Sequence, residues 1–526
     1  MDRACGWDEI GPRTGDYFLA PAKMKTTSIL DNAGARLVAS AILGLVMCCA
    51  ATAQGLNNQW QGGFEHISGP PFGGSDIEFA SGSAVIVSAP DRVIDLKHTS
   101  ANITDTAGEL LFFTNGVVVG QADGDTMING SGLNPSDYTD NWYPGGLLLH
   151  QGALIVPDPG DPSRYYIFHC TLDDMLNSAA NFLYATVVDM ALNGGMGEVV
   201  EKNQVLHTGS IQAGRLTTVR HGNGRDWWVY AHEVNTDRFW RFLVSPNGVV
   251  GPYEQTIGVV RPADGGRTAF SPDGSKFAYY WGVSDLDIFS VDRCSGLFSD
   301  HVHIAIDDYD LSGGVAFSTS GRFLYASSVF DLYQVDMEAA DIASSLLHVA
   351  SWDSTYSPSP PFATLFDAAQ LASDGKIYIS TGNGTDKLHV INYPDSLGAA
   401  CDIQQHAITL PTYWKNSLPN HPNYHLGALD GSVCDSLDVG LVEQPENLNL
   451  SLYPNPNAGA FAITYAPQPT SGMLVVHALD GRVVHRESVA PWSQLKRVEL
   501  PRLAPGMYQC TVRFGGSEGV GRFVVE

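Results

Sequence analysis

Ser271-Pro272-Asp273-Gly274-Ser275-Lys276-Phe277-Ala278-Tyr279-Tyr280 is a turn that runs straight into a strand. The Asp-Gly pair admits positive φ, the Asp carboxylate can bond back to the backbone, and an aromatic run follows. The pattern recurs on both sides. Upstream it stands as Ala107-Gly108-Glu109-Leu110-Leu111-Phe112-Phe113, Ser163-Arg164-Tyr165-Tyr166-Ile167-Phe168, and Asn223-Gly224-Arg225-Asp226-Trp227-Trp228-Val229-Tyr230. Downstream it stands as Ser318-Thr319-Ser320-Gly321-Arg322-Phe323-Leu324-Tyr325 and Ala372-Ser373-Asp374-Gly375-Lys376-Ile377-Tyr378-Ile379. Further strands follow the copies, such as Asp287–Asp292 and Lys387–Ile391.

The copies lie roughly 50 to 60 residues apart, a spacing that short antiparallel strands give when sheets repeat radially. An all-β body over residues 54–436 is predicted, a β-propeller of about seven blades. Six copies are visible; the remaining blade is expected from residues 60–98 joined to segments near 400–430. A β-sandwich array or a β-helix is the alternative architecture.

Composition agrees. The chain has 55 Gly, and its Tyr, Phe and Trp number 21, 22 and 10, with no long amphipathic helical pattern after residue 53. Charged residues are 16% of the chain, yet the net charge is −27. Residues 54–446 hold 17 Lys and Arg against 46 Asp and Glu, while residues 447–526 hold 7 against 5. A charge boundary thus falls near a linker at 437–446. A strongly acidic body argues against nucleic-acid binding and against docking on anionic lipid. It suits solubility in the exterior, or the binding of divalent cations such as calcium.

Lys23, Lys25 and Arg36 precede an apolar run, Leu37 to Ala50, and Ala51-Thr52-Ala53 offers a small-x-small cleavage site. The run, about fourteen residues, is short for a membrane span. Residues 1–53 are therefore read as an upstream segment and a signal peptide starting at Met24. A lipoprotein signal at Cys48 is disfavoured by Met47 before it. Five cysteines follow: Cys170, Cys294, Cys401, Cys434 and Cys510. An oxidising compartment permits pairing. Cys401–Cys434 is the expected disulfide, with Cys170–Cys294 possible if the fold brings them together. No spacing suggests a zinc site.

The last eighty residues have their own pattern. Tyr453-Pro454-Asn455-Pro456-Asn457 leads to Gly459, a turn follows at Asp480-Gly481-Arg482, and Pro505-Gly506-Met507-Tyr508 precedes the final strand. The two prolines remove backbone donors, so an extended segment at a sheet edge is expected. This segment, 447–526, resembles the type A C-terminal sorting domain of the type IX secretion system of the Bacteroidetes. The resemblance implies a small immunoglobulin-like β-sandwich recognised by the outer-membrane translocon. It also implies removal by a sortase after export, with release or attachment to surface lipopolysaccharide, and hence a secreted or cell-surface protein. Read without it, the segment is an ordinary accessory domain.

The body is similar to the WD-type propellers that Bacteroidetes export with this tail. Ala153 to Gly160, Val188 to Gly197, and Leu216 to His221 before Asp226-Trp227-Trp228-Val229 carry that likeness. It implies fold and surface location and no reaction.

Catalytic signatures are absent: there is no Gly-x-Ser-x-Gly, no phosphate-binding Gly-rich loop and no His-Glu-x-x-His. Arg220-His221 and His232-Glu233 flank one aromatic strand and read as a polar blade edge. His301 and His303 alternate, so they project from one strand face, and Asp307, Asp308 and Asp310 follow; together they form a candidate metal set. Asp123-Gly124-Asp125 before Asn129-Gly130 only begins like a calcium loop, because Met127 occupies a ligand position. Two functions remain open. One is a binding or structural scaffold for a polymer, glycan or protein. The other is a hydrolase, lyase or lactonase working in a central channel. A plugged axis favours the first; three or more His, Asp or Arg side chains meeting at the axis favour the second.

Overall fold

The Asp273-Gly274 turn closes a hairpin between Arg267–Phe270 and Lys276–Trp281, with Phe270 opposite Phe277. Gly274 sits at φ +71, and the Asp273 carboxylate accepts from the Ser275 N–H at 3.0 Å. Asp285–Asp292 and Leu297–Ile304 complete a four-stranded antiparallel meander. The computed structural model describes residues 55–142, 145–175, 177–307, 312–416, 418–435, 446–468, 470–478, 482–514 and 517–526. The signal of residues 24–53, nearly all of the linker at 437–446, and Asp308, Asp310, Asp480 and Gly481 lie outside the described residues.

The same path recurs in meanders spanning residues 101–131, 153–212, 217–261, 314–351 and 369–414. The first two of these join through one parallel pairing, Ile128 with Glu198. A three-stranded meander, Gln59–Phe64, Gly73–Glu78 and Val85–Ala89, precedes them. Each of the six turn-and-aromatic copies is the second strand of its meander. Their aromatics stitch neighbours together: the Trp228 indole N–H donates to the Arg293 carbonyl at 3.1 Å, and the Tyr230 hydroxyl donates to Gly296 at 2.9 Å. Tyr325 donates to Pro394 in the same way, at 2.9 Å. Such rings bury large apolar area while the polar tip finds a carbonyl.

First strands stand side by side from one meander to the next, as Arg267–Phe270 does with Gly314–Phe317, and Gly314–Phe317 with Ala369–Leu371. The first and last meanders meet in a shared core of Trp60, Ile77, Phe79, Tyr378, Leu388 and Trp414. The body is thus a β-propeller whose ends pack together. One expectation needs correction. Among the described residues, no strand from 400–430 joins the sheet of residues 59–89; Ile403–Trp414 pairs with Thr385–Ile391 in its own meander. The seam is made by side chains instead. Trp414 lies over Gly62, where a Cβ would come within 2.3 Å of the indole, and its N–H donates to the Ser75 hydroxyl at 2.8 Å.

The disulfide also differs. Cys434 pairs with Cys294 across 140 residues of sequence, with Cα atoms 5.7 Å apart. Cys401 is a free thiol inside the core of its own region, and Cys170 and Cys510 are free and buried too. The reason is the route of the chain after Trp414. It runs along the propeller axis and emerges beside the turns at 221–226 and 293–296, where Leu429 N–H donates to Gly222 at 2.8 Å. Cys294 is the thiol at that exit.

The C-terminal region is a two-sheet sandwich. Glu446–Asn447, Ser517–Val525, Gly506–Phe514, Gly472–Ala478 and Val483–Val489 form one sheet in that order, and Ser451–Tyr453, Ala460–Thr464 and Leu495–Glu499 form the other. Phe461, Ile463, Leu474, Val476, Val512 and Phe523 fill the space between them. No helix among the described residues is long and apolar enough to cross a membrane.

Candidate functional site

The first strands of five meanders line an axial cavity of about 210 Å³, and Asn416 with the stretch from Leu418 to His425 closes much of its wall. Asn, His and Pro make that stretch read as loop, yet several of its side chains reach backbone carbonyls of the meanders. Asn420 donates its side-chain amide to Ala153 at 2.9 Å and Leu216 at 2.8 Å, and its backbone N–H to Ser100 at 2.8 Å. His421 Nε2 lies 2.8 Å from the Asn102 carbonyl, Asn423 donates to Pro272 at 2.6 Å, and Tyr424 donates to Ile155 at 2.8 Å. Inner strands of a propeller have a free edge facing the axis. This strap covers part of it.

At one end of the cavity the starts of the inner strands bring ionisable groups together. Arg267 donates to Asp367 at 2.7 Å, to the Gly313 carbonyl at 2.5 Å and to His150 Nδ1 at 2.8 Å. His150 therefore accepts through Nδ1, and burial followed by the Arg267 charge holds its pKa well below the usual imidazole value. Burial would raise Asp367, but the adjacent Arg267 outweighs it and holds the carboxyl at about 2. Ser312 also donates to Asp367. The His98 ring lies 5.9 Å from that of His150, and burial with the Lys415 charge lowers it to about 3. At neutral pH the cluster is one Arg–Asp ion pair flanked by two neutral imidazoles.

Three polar atoms of the cavity wall are buried without a protein partner: His98 Nδ1, His421 Nδ1 and Asn416 Oδ1. His421 donates through Nε2 to Asn102, so its Nδ1 is an acceptor, as is the Asn416 carbonyl. Burial lowers His421 to about 4 and keeps it neutral.

The sequence singled out other groups, and the structure separates them. His232 is buried edge-on against Phe239, with ring centroids 4.7 Å apart. Glu233 pairs with Arg238 at 3.2 Å, Arg220 stacks over Trp227, and His221 holds the Asn223 N–H at 3.0 Å. They are blade packing at two ends of one strand. Asp123 accepts from the Asp125 N–H at 3.0 Å in an ordinary turn. His301 and His303 do share a face. They meet at Asp287 and not at Asp307, because the strand Leu297–Ile304 pairs with Asp285–Asp292. None of His98, His150, Arg267, Asp367 or Asn416 was legible as a site. Each stands outside the repeated motif, and only ring closure brings them together.

The sorting motif is organised as the prolines require. Asn455 donates to the Arg522 carbonyl at 3.0 Å and accepts from the Val524 N–H at 2.8 Å. Asn457 N–H donates to Val524, and Glu526 N–H donates to Asn457, both at 2.9 Å. The Asn455 side chain thus supplies the ladder that Pro454 and Pro456 cannot. Gly459, at φ +87, has no room for a Cβ, which would lie 2.5 Å from the Leu500 carbonyl. Tyr508 donates to Ala504 at 2.8 Å, and Arg482 accepts from the Ala478 N–H at 2.9 Å. Tyr453 and Pro505 stand exposed.

Residues 451–526 match the secretion system C-terminal sorting domain family. No curated protein matches the chain. Among solved structures, the chain is similar to a Bacteroides fragilis protein provisionally assigned as a 6-phosphogluconolactonase, at 13% identity, 69% of this chain, 98% of that one and TM-score 0.42. PorZ, a surface component of the type IX secretion system of Porphyromonas gingivalis, is similar at 14% identity, 86% of this chain, 63% of that one and TM-score 0.34. A gluconolactonase of Xanthomonas campestris is similar at 15% identity, 55% of this chain, 85% of that one and TM-score 0.30. The tail is that of a type IX secretion substrate, a secreted or cell-surface protein.

Proposed function

We propose that this protein is an exported binding propeller whose axial cavity holds a small, neutral, hydroxyl-rich ligand such as the end of a glycan. The tail hands it to the type IX outer-membrane translocon and its sortase, with attachment to surface lipopolysaccharide as the route to retention. The observation that carries the reading is the axial cavity itself, walled by polar side chains of several meanders, among them His98, His150, Gln151, Thr218, Gln370 and Asn416. Convergent polar groups in a concave pocket suit a polar guest. The volume of about 210 Å³ falls below the roughly 300–1,000 Å³ of drug-sized sites, which suits one sugar ring.

The ionisable groups argue for holding over turnover. Arg267 and Asp367 are committed to each other, to Gly313, to His150 and to Ser312. Among the described residues of the wall, no Ser, Thr or Cys donates to an imidazole, so no nucleophile is activated. The convergence of His98, His150, Arg267 and Asp367 at the axis meets the condition set above for an enzyme and favours a second reading, a lactonase or lyase at the same mouth. A monosaccharide and glycan panel followed by calorimetry tests the first. Binding is expected, and His98→Ala and Asn416→Ala should each weaken it about tenfold, the worth of one good hydrogen bond to a buried group. Turnover on lactones or esters that disappears in His98→Ala would replace the binder with an enzyme.

A further inference from the structure

On the flank of the meander of residues 267–304, far in register from the axial strand, two imidazoles and a carboxylate converge. His301 Nε2 lies 2.7 Å and His303 Nδ1 2.8 Å from one oxygen, Asp287 Oδ1. The three candidate ligand atoms all lie within 4.8 Å of one another. We infer that Asp287, His301 and His303 form a site for a borderline divalent cation, zinc above all, with a coordination position left to solvent or to a partner's donor.

Local structure explains the convergence. A bulge between Ile288 and Ser290 shifts the register of the paired strands, so His301 and His303 both lean toward Asp287. His301 is stacked on Phe289, with ring centroids 4.8 Å apart, which fixes its plane. Asp287 is buried at 2% side-chain exposure, whereas His301 and His303 are 20% and 37% exposed, so the site faces outward from an anchored carboxylate.

The surrounding groups prepare each ligand atom. The other Asp287 oxygen, Oδ2, is held by Arg261 Nε at 2.7 Å, which aims Oδ1 at the histidines. Arg261 is itself fixed over the Tyr279 ring, 3.9 Å from its centroid. His303 Nε2 lies 3.4 Å from Asp285 Oδ2, a carboxylate that favours a proton on Nε2 and frees Nδ1 to coordinate. Metal-binding histidines usually have such a partner on the second nitrogen. Two imidazoles with one carboxylate suit zinc and its neighbours, and a hard cation such as calcium takes six to eight oxygens that this cluster does not supply. The carboxylate here comes from the paired strand and not from the loop that follows His303.

Calorimetry and metal analysis of the full chain, with zinc chloride and calcium chloride as the two probes, test it. One equivalent of zinc is expected to bind, and calcium is not expected to occupy the same site. His301→Gln with His303→Gln should abolish that equivalent, and Asp285→Asn should weaken it about tenfold. Both histidines are partly exposed, so an unchanged melting temperature in the absence of zinc checks that the variants fold. Zinc affinity that is unchanged in the double variant, no zinc binding at all, or calcium displacing zinc at equal concentration would each overturn the inference.

Discussion

The body and the tail both have to fasten a chain end that cannot simply extend a sheet, and they do so by opposite means. In the body, residues 418–435 run along the axis, bonded by side chains to inner-strand carbonyls, and are locked at the exit by Cys294–Cys434. In the tail, the final strand Ser517–Val525 is a full sheet member, and the proline-rich segment is fitted to it by the Asn455 side chain and the Asn457 backbone. The body is strongly acidic, with 17 Lys and Arg against 46 Asp and Glu, and the tail nearly balanced. The tail's fastening lies at the surface and leaves Tyr453 exposed. A fastening buried on an axis suits a permanent wall.

The comparison is tested hardest at the propeller seam. Trp414→Ala removes a fully buried indole shared by the first and last meanders, and a loss of about 3–5 kcal/mol is expected. Chemical denaturation of the body should register it while the tail's own transition stays in place; an unchanged body midpoint would mean that the ends are not joined there. Next comes the cross-link. Peptide mapping without reduction should recover Cys294 bonded to Cys434, with Cys170, Cys401 and Cys510 free. Serine at both bridge positions should destabilise the body by about 2–5 kcal/mol. Recovery of a Cys401–Cys434 peptide would restore the pairing read from sequence.

How far the sequence reached follows from which strands carry a signature. The six second strands announce themselves because a turn of Gly or polar residues fixes their start and a run of buried aromatics follows, which in two of them bonds a neighbouring meander. Gly73–Glu78, the second strand of the first meander, follows a turn at Gly69–Phe72 but carries no aromatic run, and was not separated from its surroundings. The tail was legible because Tyr453 to Asn457 is a local pattern with a local structural task. The axial wall was not, because Asn420 and His421 acquire partners only when strands hundreds of residues away close around them. His301 and His303 were legible as a pair through strand alternation, but their carboxylate came from the paired strand, which no spacing reveals.

Acid should separate the two regions more gently. His98 and His169 are lowered to about 3, and His389 and His421 to about 4, all by burial first. Their folded values lie below the unfolded imidazole value near 6.5, so the unfolded chain binds protons first as pH falls. Body stability is therefore full above about pH 6.5 and declines between there and about pH 3–4, by about 1 kcal/mol per pH unit per histidine. Melting temperatures between pH 7.5 and 5 should fall for the body, and a flat profile would show that these imidazoles are not buried neutral. In the tail, Asn455→Ala removes two hydrogen bonds at a partly exposed site, and about 1–2 kcal/mol is expected.

The central claim is that the tail is an address and the body a separate folded cargo. Deleting residues 447–526 in the native cell tests it most directly, with fractionation and a melting curve read on the same protein. The account predicts a body that melts as in the full chain but is stranded in the periplasm. Truncated protein at the cell surface or in the medium in normal amounts would contradict it.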